Sequence, residues 1–255
     1  MNQVDKHKVK VIEPAANAIT FIAEETKLAG ILHRGIIVLR GHDVYLTLAK
    51  KTALEQGKAE IIPQIDVLLR DAPNLRKDAE EISQDDFEVV NRHAFVSIWA
   101  ALEGAIEDTI AFLLRHSEDP ISKLAGLDVK YKPSTFDDCD KNVMLQVRKI
   151  EQSARKKHGS NCGSAYRWVF SEFGIYIDES RVNEAVLEEA NAVRNCILHN
   201  AGVVDSRAAQ VPSLAPLNGQ KFRISKVKYL EYYDAVGNFL SGLLAAEVGS
   251  SFVRE

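Results

Sequence analysis

The sequence predicts an all-α protein, and this class rests on three observations. Apolar residues recur at three- and four-residue spacings over most of the chain. The stretches that break this pattern are rich in Gly, Pro, Ser and Asp, as turns between helices are. Strand-like sequence is limited to Phe222-Arg223-Ile224, which reads as one short strand. The expected architecture is a bundle of about five core helices behind an N-terminal helical extension.

Residues Ala15 to Gln56 read mainly as helix. Leu28, Ile31, Leu32, Ile36 and Leu39 set the period, and Gly35 and Gly41 are its bends or breaks. The pattern lapses around Pro63 and Pro73, which places a boundary between an extension, residues 1–78, and the main domain, residues 79–255. Asp85 and Asp86 are helix-start residues. From Phe87 through Ile98, Leu102, Ile106 and Leu113 a long amphipathic helix runs to His116. Ser97, Ala100, Ala101 and Gly104 in its middle are small enough to let another helix approach closely. The stretch from Ser117 to Pro133 is loop-like.

The next helix begins near Asp137 or Asp138 and carries Val143, Leu145, Val147 and Ile150. It ends in Arg155-Lys156-Lys157-His158-Gly159, where cations suit a negative helix terminus. A short helix over Ala165 to Phe173 follows, then a longer one from Arg181 to Asn200. Residues Gly202 to Leu217, with Pro212 and Pro216, form a loop, and Tyr229 to Val248 is the closing helix.

The bulk properties exclude several classes. At 255 residues the chain can bury a sizeable core. A net charge of −4 argues against a general nucleic-acid coat but leaves room for a local RNA site. Cys139, Cys162 and Cys196 are widely spaced and odd in number, with no metal-ligand spacing, so reduced thiols are expected. No apolar run follows Met1 to Lys6, and the apolar patches near Ile31 to Leu39 and Ile110 to Leu114 are too short to span a bilayer. A cytoplasmic protein with no membrane partner is the expectation.

The most informative stretch is Val193-Arg194-Asn195-Cys196-Ile197-Leu198-His199-Asn200-Ala201-Gly202. Leu187, Ala190, Val193, Ile197 and Leu198 share a face, and Arg194 projects from among them. An arginine in an apolar face must find an anion, because an unpaired buried charge is too costly. Asn195 and His199, four residues apart, share a more polar face near a helix end marked by Asn200 and Gly202.

This pattern resembles the HEPN superfamily, whose signature is arginine, a polar residue, three further residues and histidine. Here that is Arg194-Asn195-Cys196-Ile197-Leu198-His199, flanked by Glu188 to Val193 and by Asn200 to Asp205. Asn91-Arg92-His93-Ala94-Phe95 through Leu102-Glu103 resembles the long early helix of these domains. The likeness covers roughly residues 80 to 248. It implies an all-α fold, a homodimer and, in many members, metal-independent RNA cleavage; other members cleave nothing. No cofactor is implied. The minimal nucleotidyltransferase signature that often accompanies such domains is absent, so any such partner, or an antitoxin, is on another chain.

The chemistry needs these residue types. Cleaving RNA without metal requires a base for the ribose 2′-OH, which His199 can supply, and a cation for the phosphate, which the Arg194 fork suits. Asn195 can orient either. Glu103, on the long helix, could meet Arg194 and hold its fork in place. Lys149, Arg155, Lys156 and Lys157 are RNA-binding candidates, weighed against an ordinary solvated face. Ala192, Asn195, Cys196 and His199 offer a face on which a second motif helix could pack about a two-fold axis. Two readings follow. One is an endoribonuclease of toxin–antitoxin or anti-phage defence. The other is a non-catalytic helical module that binds nucleotide, RNA or a partner protein.

Overall fold

The computed structural model describes residues 3–117, 140–158, 161–250 and 252. Among them are eight α-helices: α1 (Gln3–Leu39), α2 (His42–Glu55), α3 (Ile62–Gln84), α4 (Glu88–His116), α5 (Asp140–His158), α6 (Cys162–Glu172), α7 (Glu184–Asn200) and α8 (Lys226–Gly249). The fold is all-α. The expected start of α5 and most of the Ser117 to Pro133 loop lie outside the described residues.

Short polar side chains set the helix starts. Asn161 Oδ1 accepts from the Ser164 amide at 3.1 Å, so α6 begins at Cys162 rather than near Ala165. Asn183 caps α7 through the Val186 amide, and the Glu179–Arg181 stretch before it is a separate 3-10 turn. Asp86, expected at the start of α4, serves a different helix. Asp86 has a left-handed backbone, φ 52°, and its carboxylate accepts the Lys226 amide at 3.0 Å, which caps α8 instead.

Two further expectations change. α3 passes through both Pro63 and Pro73. Pro63 falls in the first turn, where a missing N–H costs nothing. Pro73 is interior and costs roughly 3 kcal/mol, yet the helix continues, with Ala72 fully buried beside it. The boundary expected after residue 78 therefore falls inside a helix. Phe222 to Ile224 forms no strand: the pairing is a lone antiparallel bridge, Val203 to Lys221. Gly202 (φ 86°) and Gly219 (φ 78°) turn the chain out of register at either end, so the ladder cannot extend.

Contacts divide the chain into two compact units, each made of separate stretches. Met1–Glu24, Phe95–Arg223 and Leu230–Glu255 form the first; Glu25–Ala94 and Ile224–Tyr229 form the second. The first has an aromatic core. Phe95 and Tyr232 lie with ring centroids 4.8 Å apart, and Tyr166 meets Phe239 edge-on at 6.2 Å. The Tyr232 hydroxyl donates to Glu189 of α7 at 2.6 Å, which satisfies a buried carboxylate.

The second unit holds the hairpin α2–α3. Lys50 pairs with Asp66 at 2.6 Å and Arg76 with Asp43 at 3.0 Å, which fixes an antiparallel register. Its inner face is small: Ala53, Ile65, Ala72 and Ala79 are buried. Asn91 donates to the Asp86 and Ile224 carbonyls at 2.9 and 3.0 Å, and its Oδ1 lies 3.1 Å from His33 Nε2. No helix among the described residues is long and apolar enough to cross a membrane.

Candidate functional site

The site belongs to the first unit and is built on α7. Leu187, Ala190, Val193 and Cys196 are its buried residues, together with Glu189. The buried stripe thus runs toward Cys196. Ile197 is half-buried, and Leu198, expected on the same face, is 49% exposed. Arg194 stands at the stripe's edge with its side chain 25% exposed.

Arg194 is held at both ends of its fork. One Nη donates to the Glu103 carboxylate of α4, and the other donates to Asn195 Oδ1 at 2.9 Å. The two-donor geometry of a guanidinium allows both contacts at once. Asn195 is thereby fixed with its amide oxygen turned to Arg194, which leaves its NH2 group free of that bond.

On the other side of Asn195 lies a cleft of about 730 Å3. Asn191, Asn195 and His199 of α7 form one wall. Arg155 and Lys156 of α5 form another, and Arg207 and Gln210 close it from the following loop. The residues expected to receive a partner helix, Ala192, Asn195, Cys196 and His199, all line this cleft. Arg194 is not part of the lining. His199 is exposed on the last turn of α7, and among the described residues its side chain has no hydrogen-bond partner.

The loop is tied to α7 through Asp205. Its Oδ2 accepts from Asn200 at 2.8 Å, and its Oδ1 accepts from the Ala208 and Arg207 amides at 2.8 and 3.0 Å. These bonds, the Ala208 amide foremost, hold the Asp205 carboxyl below the usual carboxylate range. They also position Arg207 at the rim.

The basic cluster of α5 does not act as one strip. Arg155 and Lys156 face the cleft, Lys157 stands 4.4 Å over the Trp168 ring, and Lys149 is exposed elsewhere on the helix. The Arg155 guanidinium donates to the Tyr166 hydroxyl and lies 5.4 Å from that ring's centroid, while its Nε has no partner among the described residues. Glu151, one turn before Arg155, is pushed up to about 7 by burial, with Glu107 and Glu103 adding to the effect and Arg155 and Arg148 opposing it. Glu151 thus lies in the field of both Arg155 and the carboxylate that holds Arg194, Glu103.

Arg207, Asn191, Gln210 and Tyr166 were not among the candidates. Asn191 is one turn before Asn195 and was legible from helical spacing. Arg207 and Gln210 lie in a stretch without periodicity. Among the described residues no group of three or more His, Cys, Asp or Glu is placed to hold a metal ion. Cys162 and Cys196 are buried free thiols; burial pushes the Cys162 thiol up to about 12. Cys139 lies outside the described residues. Comparison with family models, with characterised proteins and with solved structures finds no match.

Proposed function

We propose that this protein is an endoribonuclease in which His199 is the base and the α5–α7 cleft holds the scissile phosphate. One observation carries the reading: an exposed histidine with no hydrogen-bond partner among the described residues shares a cleft with the Asn195 amide and three cations, Arg155, Lys156 and Arg207, which outnumber the carboxylates Glu188 and Asp205 there. Such a set binds a phosphodiester and takes a proton beside it. The resemblance to HEPN domains points the same way and suggests toxin–antitoxin or anti-phage defence as the setting.

His199 takes the proton of the ribose 2′-OH. The freed oxygen attacks the adjacent phosphorus, the bond to the 5′-oxygen breaks, and that oxygen takes a proton from water. The products are a 2′,3′-cyclic phosphate and a 5′-hydroxyl. Arg155, Lys156 and Arg207 offset charge on the phosphorane oxygens. Arg194 acts through Asn195: tied to Glu103, it fixes the side-chain amide of a residue that lines the cleft.

The test is cleavage of end-labelled single-stranded RNA in chelator. The native chain is expected to cut and leave cyclic phosphate ends. His199→Ala is expected to lose roughly two to four powers of ten in rate while retaining RNA binding. Activity abolished by chelator and restored by magnesium would overturn the mechanism. RNA bound but never cut by the native chain would favour a non-catalytic binding module, the reading supported by the commitment of Arg194 to Glu103.

A further inference from the structure

Beyond α6 the chain exposes an aromatic ring. Gly174 (φ 77°) turns the backbone, and burial then alternates: Ile175 and Ile177 are buried, and Tyr176 between them is 75% exposed. Tyr176 stands at a cavity of about 670 Å3 in the first unit, within the range of small-ligand pockets. Trp168 of α6, half-buried, is a second aromatic residue in its lining, with Ser164, Arg167, Val182 and Glu184.

The polar side of this cavity is fixed. Arg167 donates to Glu184 at 2.8 Å from one Nη and to Glu179 from the other. Ser164 and Asn161 donate to the second Glu184 oxygen at 2.6 and 3.3 Å. A guanidinium held at both Nη offers its flat face, on which rings stack. Glu179 meets Arg167 through one oxygen and keeps its side chain 82% exposed. Three carboxylates, Asp178, Glu179 and Glu184, stand with three cations, Arg167, Arg181 and Lys157. With charge balanced, the cavity suits a neutral ring better than the lysine or arginine of a protein partner.

We propose that this cavity is a guanine subsite: an RNA base stacks against Trp168 and Tyr176, and the Glu179 carboxylate accepts from its N1–H and its N2 amino group. A carboxylate offers acceptors only. Guanine presents two adjacent donors on its Watson–Crick edge. Adenine, cytosine and uracil each set an acceptor beside their donor, which the carboxylate repels. The subsite adjoins the cleft. Glu184 lines the one and Glu188 the other, about 6 Å apart along α7. Lys156 likewise lines the cleft, while Lys157 stands over the Trp168 ring. His199 lies about 22 Å along α7 from Glu184, a span that a few nucleotides of single strand cover. The subsite rests on the nuclease reading for its substrate, RNA, but its binding is measured without cleavage.

Fluorescence tests it. The chain has two tryptophans and Trp99 is fully buried, so a base that stacks in the cavity quenches Trp168. Titrated with the four ribonucleoside 5′-monophosphates, the full chain is expected to bind the guanine nucleotide about tenfold more tightly than the others. Glu179→Gln is expected to abolish that preference, and Tyr176→Ala to weaken guanine nucleotide binding about tenfold, both with circular dichroism unchanged. In the cleavage assay, an RNA with a single guanine is expected to be cut at a fixed distance from it. No saturable quench up to about 10 mM, an equal response to all bases, a guanine preference kept by Glu179→Gln, guanine nucleotide binding undiminished in Tyr176→Ala, or cuts placed without regard to guanine overturns the subsite. A response to an arginine-rich peptide with none to the guanine nucleotide marks a protein partner and overturns it as well. Guanine-selective quenching without RNA cleavage upholds the subsite and counts against the nuclease reading alone.

Discussion

Arg194 shows what a single residue's neighbours decide. With Glu103 and Asn195 on its two Nη groups, its charge is spent inside the protein rather than on a ligand. Arg194→Lys keeps the ion pair but loses the second donor, because an ammonium has no fork. It is expected to slow RNA cleavage roughly ten- to a hundredfold with little change in melting temperature, as single-turnover rates and a thermal scan would show. Arg194→Ala leaves a partly buried carboxylate unpaired and is expected to cost about 1–3 kcal/mol in denaturant unfolding. The Glu103 contact was legible because an arginine at an apolar face requires an anion, and the long helix offered one among small residues. The division of labour between Arg155 and Lys157 was not. It depends on Tyr166 and Trp168, which only the packing of α5 on α6 brings near.

At the scale of elements, α7 ends on two residues with left-handed backbones, Ala201 at φ 51° and Gly202 at φ 86°. The Gly202 amide donates to the Cys196 carbonyl at 2.9 Å, which closes the helix under His199. Alanine is a poor occupant of that conformation. Ala201→Gly is expected to raise stability by about 0.5–1 kcal/mol, read as a higher urea midpoint with an unchanged slope. A lower midpoint would show that the end of α7 is held by the Asn200–Asp205 bond rather than by its own turn. Helix existence was readable from periodicity for α4 to α8 and from Ala15 through α2, but not for α3, where Pro63 and Pro73 read as breaks and the helix runs through both. Helix starts were less legible: Asn161 and Asn183 cap α6 and α7, yet the apolar period alone placed those starts near Ala165 and at Arg181. Asp86 misled because it caps α8, 140 residues further along the chain.

At the scale of the whole molecule, one carboxyl stands out. Glu247 is fully buried; among the described residues it accepts only the Thr109 hydroxyl, at 3.2 Å, and its second oxygen has no partner. Burial pushes it up to about 8. Below about pH 4.5 folded and unfolded chains both hold this proton. Between there and about pH 8 only the folded chain holds it, so stability falls across that window and then levels. Glu247→Gln is expected to flatten the fall and to gain a few kcal/mol, roughly, at pH 8; equal slopes for both proteins in urea titrations would rule this out. The interleaving of the two units has a consequence for synthesis. Val11, Ala15 and Ile22 of α1 are buried in the first unit, where Ile22 Cδ1 lies 3.7 Å from where a Cβ on Gly237 would stand. That partner leaves the ribosome roughly two hundred residues later, a delay of about 10–40 s at ordinary elongation rates. The α2–α3 hairpin, local in sequence, can close within that interval. The part of α1 that carries Ile22 cannot, and it stays open on that side until α8 emerges.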